Sequence, residues 1–432
     1  MSTDYTTRIV NYALETAGFY PLRPIQRWLI DTHFNKANST MMNIGGLYKL
    51  DDSIDMEKLA AAITDISNAH DIFKCRLVFH EGTSDLCQRF DGEIVPVEVE
   101  KISDAEFEEV KKFLKKPYRL VNNPLYRIRL IETPTGKYFY SDFYHAILDG
   151  TAAGILFLHE LSSRYKGKKI TRTAPKYSDY VLQELRISPE DLVEGNNYWR
   201  NMLEGYSPEK HLPPADIQGK NNWQSDQFFV ELKNINREYF SDRVRKEHIF
   251  FLAASMLATA KISGQKKSFM SWIHNGRTNT TERRLFGILL EQYPVSFDFE
   301  ENLTVEKFLD GLEGKINEAP KYRRSLETVY DTGLQDDCAT FIFQKGSLTE
   351  ESICKLADKP MQFVEMPENK FSAAENILDI EITSLDSGKY VVLVDYDASR
   401  YSEGAMKKFA ATLDEMVLQL QKEKKFISEI LG

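Results

Sequence analysis

One short stretch of the 432-residue sequence combines the residue types that proton-transfer chemistry requires. Residues 138–150 read YFYSDFYHAILDG, so an aromatic run leads into His145, and Asp149 and Gly150 follow. An imidazole has an ordinary pKa of about 6.5, so it can take a proton from an attacking amine or alcohol near neutral pH. Because the alternating residues 137–145 predict a strand, rigid backbone would aim this imidazole. The stretch therefore predicts a general base at His145.

A purely structural interpretation of these residues stays open. Asp149 comes just before a predicted helix over Thr151–Tyr165 and can cap it, while Gly150 permits a tight turn. The pattern HxxxDG is short, and it also fits a buried histidine beside a helix-capping aspartate. The residues of that helix expected to face the core are Ile155, Leu158 and Leu161.

The elements that must position these residues are strands and helices in both halves of the chain. Alternating or β-branched runs predict strands over 42–50, 72–79, 126–132, 137–145, 228–232, 268–274, from Val295 onward, and over 340–343, 377–383 and 390–396. Periodic apolar residues predict helices over 24–34, 55–68, 105–114, 151–165, 177–185, 190–203, 248–260 and 403–422. The basic, proline-terminated stretch 166–175 is the predicted connection. We therefore expect an α+β protein with two lobes, residues 1–172 and 173–432.

Composition and missing motifs exclude several classes of protein. Hydrophobic residues make up 42% and charged residues 28% of the chain, which is typical of a globular protein. The formal charge of −10 disfavours nonspecific nucleic-acid binding, and no apolar run approaches the ~20 residues of a membrane span. The four cysteines form no CxxC, the eight histidines show no zinc-ligand spacing, and no phosphate-binding glycine motif occurs. We expect a reduced, cytoplasmic protein without a metal, and without nucleic-acid or membrane partners.

The surroundings of HxxxDG carry a resemblance. An aromatic strand, HxxxDG and an amphipathic helix in that order resemble the HHxxxDG region of nonribosomal peptide synthetase condensation domains, members of the chloramphenicol-acetyltransferase-like acyltransferase superfamily. Other stretches resemble further motifs of that family in the family's order. They are residues 20–28 (YPLRPIQRW), 69–76 (AHDIFKCR), 177–180 (YSDY), 197–199 (NYW), 276–277 (GR), 286–294 (FGILLEQYP) and 427–431 (ISEIL). Together they cover nearly the whole chain.

The resemblance implies a fold and a set of substrates. The fold is an α/β sandwich of two chloramphenicol-acetyltransferase-like lobes, arranged as a V-shaped pseudo-dimer with a tunnel between them. Two thioesters arrive on the phosphopantetheine arms of acyl or peptidyl carrier proteins, so no cofactor is bound by the domain itself. The implied partners are those carriers and an adjoining adenylation domain, and the implied state is a monomer.

The resemblance also implies roles for individual residues. His145 would position or deprotonate the acceptor amine, and Gly150 would offer its backbone N–H to the developing oxyanion. Asp149 would face away from the substrates and pair with Arg277, although a helix cap alone and an exposed arginine are the competing interpretations. Tyr144 stands where the family has its first histidine, a position concerned with packing.

Three more residues are expected along the substrate tunnel. Glu291 stands where the family usually has asparagine, and His274 and Ser271 belong to the preceding predicted strand. An ordinary loop role for His274 is the competing interpretation.

The resemblance implies an amide-forming condensation domain that joins a carrier-bound acyl or aminoacyl donor to the amine of a carrier-bound aminoacyl acceptor. Since few residues precede the Tyr20 motif, we expect a starter domain that takes a fatty acyl donor, as in lipopeptide biosynthesis. Two alternatives stay open. One is a stand-alone O-acyltransferase that uses coenzyme A thioesters. The other is a catalytically degenerate recruitment domain, which the replacements at Tyr144 and Glu291 favour.

Overall fold

The computed structural model describes residues 18–36, 39–80, 83–218, 223–241, 246–331, 337–346, 354–367 and 373–432. These residues form two compact units. The first unit takes its residues from 1–187, 275–290 and 353–372, and the second from 188–274, 291–352 and 373–432. No helix in the described part of the chain has the length and hydropathy needed to cross a bilayer.

Both units mix strands and helices, as an α+β fold requires. The strands are β1 (Tyr20–Pro21), β2 (Asn43–Leu50), β3 (Arg76–Phe79), β4 (Leu86–Arg89), β5 (Val99–Lys101), β6 (Tyr126–Thr133), β7 (Gly136–Tyr144), β8 (Ser225–Glu231), β9 (Lys267–His274), β10 (Glu291–Asp298), β11 (Ala339–Lys345), β12 (Cys354–Leu356), β13 (Lys359–Val364), β14 (Leu378–Ser384) and β15 (Tyr390–Asp397). The α-helices are α1 (Pro24–Asn35), α2 (Met56–Ala69), α3 (Asp104–Lys111), α4 (Phe157–Tyr165), α5 (Tyr177–Glu184), α6 (Pro189–Leu203), α7 (Glu247–Ser263), α8 (Val305–Glu318), α9 (Glu327–Tyr330), α10 (Glu403–Leu420) and α11 (Ile427–Leu431). A π-helix (Thr151–Leu156) leads into α4.

The first unit is built on a six-stranded sheet in the order β12-β13-β2-β7-β6-β5. Strand β7 lies between β2 and β6 and is antiparallel to both. Its residues alternate between the two faces of the sheet, as a strand requires. On one face Phe139 and Phe143 contact Phe157 of α4, and on the other the ring of Tyr138 stacks on Phe107 of α3. The strand that ends at Tyr144 is therefore fixed from both sides.

The second unit is built on another six-stranded sheet, in the order β10-β9-β11-β14-β15-β8. Helix α7 is apolar around its whole circumference, and every residue from Ile249 to Ala260 is buried. Such a helix must lie inside the protein, and α7 packs against both the sheet and α10. The amphipathic helix α10 buries one stripe, from Met406 to Leu420, against this core.

The first unit extends beyond the boundary predicted at residue 172, because three later segments belong to it. The Asp71 carboxylate accepts hydrogen bonds from the backbone N–H groups of Tyr177 and Ser178, which hold α5 there. Residues 275–290 bind Asp149, as described below. Strand β13 extends the first sheet by pairing with β2. These contacts join residues that are far apart in the chain, so local sequence patterns do not predict them.

Two local predictions are wrong. Residues 71–74 form a 3₁₀-helix, so the strand predicted from Ile72 begins only at Arg76. In the helix after Gly150, Ile155 is 64% exposed instead of facing the core. The buried residues there are Ala152, Phe157 and Leu161. A π-turn holds about one residue more than an α-turn, so the buried positions are spaced by five and then four residues.

Candidate active site

His145 follows the last residue of β7 and begins the turn that leads to the π-helix. Its backbone N–H donates to the carbonyl of Met42 at 2.8 Å. The side chain is half-buried. Its Nδ1 is shielded from solvent, and within the described ranges it has no hydrogen-bond partner. The imidazole is thus held by its backbone at a strand end, with part of its ring open.

The Asp149 carboxylate holds this turn together. Its Oδ1 accepts a hydrogen bond from the N–H of Ala152 at 2.8 Å, which caps the π-helix. Its Oδ2 accepts from Arg277 Nη1 at 2.7 Å and from the N–H groups of Leu289 and Leu290 at 2.8 and 3.2 Å. The structure therefore contains both the predicted cap and the predicted pairing with Arg277.

Arg277 is buried along with its partner, and the two side chains are each 3% exposed. The guanidinium also donates to three backbone carbonyls, those of Asn275 at 3.0 Å and of Leu285 and Gly287 at 3.4 Å. A buried ion pair is costly unless its remaining donors and acceptors are satisfied. Here those extra bonds engage both terminal nitrogens of Arg277 and fold residues 275–290 around it, while its buried Nε has no partner among the described residues.

Gly150 is exposed, and its φ of −56° is ordinary right-handed helical backbone. The backbone at this position therefore does not use the conformational freedom by which glycine permits a tight turn. A Cβ added there would meet nothing within 4 Å. Its N–H belongs to the first turn of a helix, where backbone donors lack carbonyl partners within the helix. The space beside the Gly150 backbone is therefore open, and the N–H of this residue is the predicted donor to the oxyanion.

Tyr144 is completely buried. Its ring lies edge-on to His33 of α1, with centroids 5.5 Å apart, and 5.5 Å from the ring of Tyr118. Burial lowers the pKa of His33, so this neighbour is neutral at physiological pH. The surroundings of Tyr144 are those of a packing residue.

The three predicted tunnel residues lie in the second unit. Glu291 of β10 and His274 of β9 are register partners across the antiparallel pair, and Glu291 is buried. Ser271 has no exposed surface, and its hydroxyl oxygen lies 3.1 Å from the sulfur of Cys338. That environment is the interior of the unit, so Ser271 shares the burial of Glu291.

Sequence reasoning missed the residues that hold segment 275–290 in the first unit. Arg23 Nη1 and the Tyr177 hydroxyl donate to the carbonyl of Ile288 at 2.7 and 3.0 Å. The His70 ring stacks on Phe286 with centroids 3.9 Å apart. Arg23, His70 and Tyr177 all lie in stretches that were recognised as motifs. The motifs therefore identify these three stretches, but they do not predict the contacts of the stretches with residues 275–290.

His70 also reaches α4, because its Nε2 lies 3.0 Å from Glu160 Oε2. Burial alone would raise the pKa of Glu160, but hydrogen bonds from His70 and Arg164 outweigh it and leave that pKa below its ordinary value. Glu160 is therefore ionised at neutral pH. Among the described residues, no group of three or more His, Cys, Asp and Glu side chains is arranged to hold a metal ion.

The second unit contains an acidic pair of a different kind. Asp379 of β14 and Asp395 of β15 are register partners, so their side chains lie side by side on one face of the sheet. Burial, together with the charge of Glu375, raises the pKa of Asp395 to about 7. Burial and the nearby Asp395 hold the pKa of Asp379 well above its ordinary value. Ionisation of both carboxyl groups is unfavourable because two neighbouring negative charges repel each other.

Comparisons with known proteins agree with this architecture. The sequence pattern of the condensation domain family matches residues 16–430. Tyrocidine synthase 3 of Brevibacillus parabrevis is 22% identical over 311 residues, which are 69% of this chain and 5% of that protein. The chain thus spans a small fraction of the length of this relative.

Solved structures show the same fold. The condensation domain of the monacolin K polyketide synthase superposes with a TM-score of 0.77 at 18% identity, covering 95% of this chain and 99% of that one. A mutant of the starter condensation domain of rhizomide synthetase, in complex with C8-CoA, gives 0.73 at 13% identity, covering 95% and 97%. With the family pattern matching nearly the whole sequence, this chain belongs to the condensation domain family.

Proposed function

We propose that this chain catalyses amide-bond formation between a carrier-bound acyl or aminoacyl thioester and the amine of a carrier-bound aminoacyl group. The observation that carries the proposal is the placement of His145. Its backbone is fixed at the end of β7, its ring is partly open, and the following turn is locked by the buried Asp149–Arg277 pair. Since Nδ1 is shielded, Nε2 is the nitrogen available to a substrate.

The proposed step keeps atoms and charge in balance. The acceptor amine attacks the carbonyl carbon of the donor thioester, and the C–N bond forms as the C–O double bond opens to an oxyanion. His145 accepts a proton from the nitrogen, or holds it by a hydrogen bond. The oxyanion then re-forms the C–O double bond as the C–S bond breaks, and the leaving thiolate of the donor arm takes up the proton released by the nitrogen. The N–H of Gly150 would stabilise the oxyanion.

Asp149 and Arg277 support the step without touching the substrates. The Asp149 oxygens and the two terminal nitrogens of Arg277 are occupied by one another and by backbone groups, so the pair acts as a structural support of the turn. Tyr144 supports the same strand end by packing. Glu291, His274 and Ser271 remain proposed contacts for the acceptor side, and two of them, Glu291 and Ser271, are buried.

The proposed donor is a fatty acyl group, which makes this a starter domain. A starter domain of the same fold has been crystallised with C8-CoA, which supports an octanoyl thioester as the first donor to test. The same observation supports the alternative of direct transfer from coenzyme A. Carrier proteins and an adenylation domain are the proposed partners, since tyrocidine synthase 3 is among the relatives and a four-domain nonribosomal peptide synthetase is among the solved structures with this fold.

Intact-protein mass spectrometry tests the proposal. An octanoyl-loaded carrier and a panel of aminoacyl-loaded carriers are mixed with the chain, and the acceptor mass is followed. We expect octanoyl transfer, and we expect His145→Ala to slow it by about 10²- to 10⁴-fold, the usual contribution of a general base. His159→Ala is the matched control, because His159 is an exposed histidine of α4.

Each outcome has a meaning. Transfer from C8-CoA to an alcohol without any carrier would replace the proposal with the O-acyltransferase. No transfer from short, medium or long acyl donors, with both carriers still loaded, would favour the recruitment domain. Transfer that His145→Ala leaves unchanged would retain the enzyme and refute the role of His145.

A further inference from the structure

Two glutamine side chains form a buried amide pair directly behind the turn that carries His145. Gln26 of α1 and Gln88 of β4 are 1% and 0% exposed. Gln26 Nε2 donates to Gln88 Oε1 at 3.1 Å, and Gln88 Nε2 donates back to Gln26 Oε1 at 3.2 Å. The two amides therefore face each other in a closed ring of hydrogen bonds.

The remaining polar positions of the pair are also occupied. Gln26 Nε2 donates its second hydrogen to the carbonyl of Ala146 at 2.9 Å, and Gln26 Oε1 accepts from the N–H of Arg23 at 3.0 Å. Gln88 Nε2 donates its second hydrogen to the carbonyl of Pro21 at 2.8 Å. The thiol of Cys75 lies 3.9 Å from Gln88 Oε1. Each amide has one orientation that satisfies this network.

The contact with Ala146 connects the network to the site. Ala146 is the residue after His145, and its carbonyl is held by Gln26 from one side. The N–H of His145 is held by Met42 from the other side. Both flanks of the His145 α-carbon are thereby anchored to parts of the first unit that are distant in sequence. Buried polar networks of this kind fix geometry because any broken member leaves an unsatisfied group.

We propose that Gln26 and Gln88 are positioning residues for His145. Gln26 acts directly on the turn, and Gln88 acts through Gln26 by fixing the orientation of its amide. This inference rests on the proposed function of His145 as the group at the reaction centre. Neither glutamine has a free polar hydrogen for a substrate, so their effect is on the placement of the imidazole.

Single variants test the direct step. Gln26→Met keeps the length of the side chain and removes the donor to Ala146. Because a displacement of about 1 Å at a reaction centre can cost 10²-fold in rate, we expect kcat for acyl transfer to fall about 10- to 100-fold with KM for both loaded carriers unchanged. Ser67→Ala is the matched control. Ser67 is a fully buried hydrogen-bonding residue of the same unit, whose hydroxyl donates to Ile63 within α2.

A double-mutant cycle tests the indirect step. If Gln88 acts through Gln26, Gln88→Met should lower kcat in the wild-type background and have little further effect once Gln26 is methionine. Additive losses would contradict the proposed order of action. Should Gln26→Met fail to fold, Gln88→Met carries the test, since the contact of Gln26 with Ala146 stays possible and only its orientation is released.

The His145 imidazole signal supplies a readout that does not depend on turnover. With ring-labelled histidine, this NMR signal is identified by its loss in His145→Ala. We expect the signal to shift or broaden in Gln26→Met and Gln88→Met and to stay in place in Ser67→Ala. An unmoved signal in both glutamine variants overturns the inference, whether or not the wild-type chain is active. Absence of transfer by wild type, with the signal shifted, refutes only the proposed function.

Discussion

Asp149 in the first unit is a buried carboxylate and Asp395 in the second is a half-buried one, each beside a six-stranded sheet, and the two have opposite surroundings. Asp149 receives four hydrogen bonds, one of them from a guanidinium. Asp395 receives a long hydrogen bond of 3.5 Å from the hydroxyl of Ser225, and it faces another acid, Asp379. Each carboxylate has lost at least part of its contact with solvent, so the donors around it decide whether its charge is stabilised.

This difference shows two roles that an acidic side chain can have in the structure. A carboxylate surrounded by donors fixes the segments that donate to it, and Asp149 thereby joins the HxxxDG turn to residues 275–290. A carboxylate beside another acid keeps a proton instead, and its unit becomes sensitive to pH. The candidate active site is built on the first kind of acid.

Asp149→Asn should cause the largest change in the free energy of unfolding. An amide cannot accept all four hydrogen bonds and leaves Arg277 as a buried unpaired charge, so we expect a loss of about 3–5 kcal/mol in the free energy of unfolding, measured with urea. Acyl transfer should fall with it, because the turn after His145 loses its anchor.

The control for this variant is Asp414→Asn. Asp414 accepts three N–H hydrogen bonds from Lys233 and Asn234, but it does so in an exposed position. Solvent can replace such donors, so we expect a loss below about 1 kcal/mol. Equal losses at Asp149 and Asp414 would refute the argument that burial makes the donors decisive.

Asp395→Asn should act in the opposite direction and depend on pH. In the folded chain the pKa of Asp395 is raised from 3.8 to about 7, so the folded state holds a proton that the unfolded state releases. The stability tied to that proton is complete below about pH 4 and is lost as the pH rises through about 7. Asparagine removes this dependence, so the variant should be about 1–2 kcal/mol more stable than wild type at pH 8.

Thermal or urea unfolding at pH 5 and pH 8 provides the measurement. The gain should shrink at pH 5, where the wild-type carboxyl is already protonated. A gain of the same size at both pH values would show that Asp395→Asn acts through packing instead of charge. A loss at pH 8 would show that the ionised Asp395 is stabilised by groups other than Ser225.

Ser225→Ala should have the smallest effect. The hydroxyl of Ser225 lies 3.5 Å from Asp395 Oδ1, at the outer limit of a hydrogen bond, so its removal should change the free energy of unfolding by less than about 0.5 kcal/mol. The same urea titration checks this. A loss above that value would mean that Asp395 depends on its donor as Asp149 does, and the contrast between the units would fail.

The sequence predicts those parts of the site that depend on residues close together in the chain. The strand that ends at His145, the capping position of Asp149 and the helix after it all follow from local patterns. The pairing with Arg277 came from resemblance, because its partner lies 128 residues away. Gln88, in a short strand without a motif, and the pairing of β13 with β2 left no local signal. Ile155 was misplaced because an α-helical period was applied to a π-helix.

That π-helix has a consequence for how this chain is aligned with others. A π-turn is equivalent to an α-helix that has accommodated one inserted residue. Residues after the π-turn and up to Leu161 therefore occupy helix positions that a regular α-helix starting at Gly150 would reach one residue earlier in its sequence. An alignment without a gap would pair Ile155 with a core residue of such a helix, although here it points to solvent. A one-residue gap after the HxxxDG motif restores the correspondence.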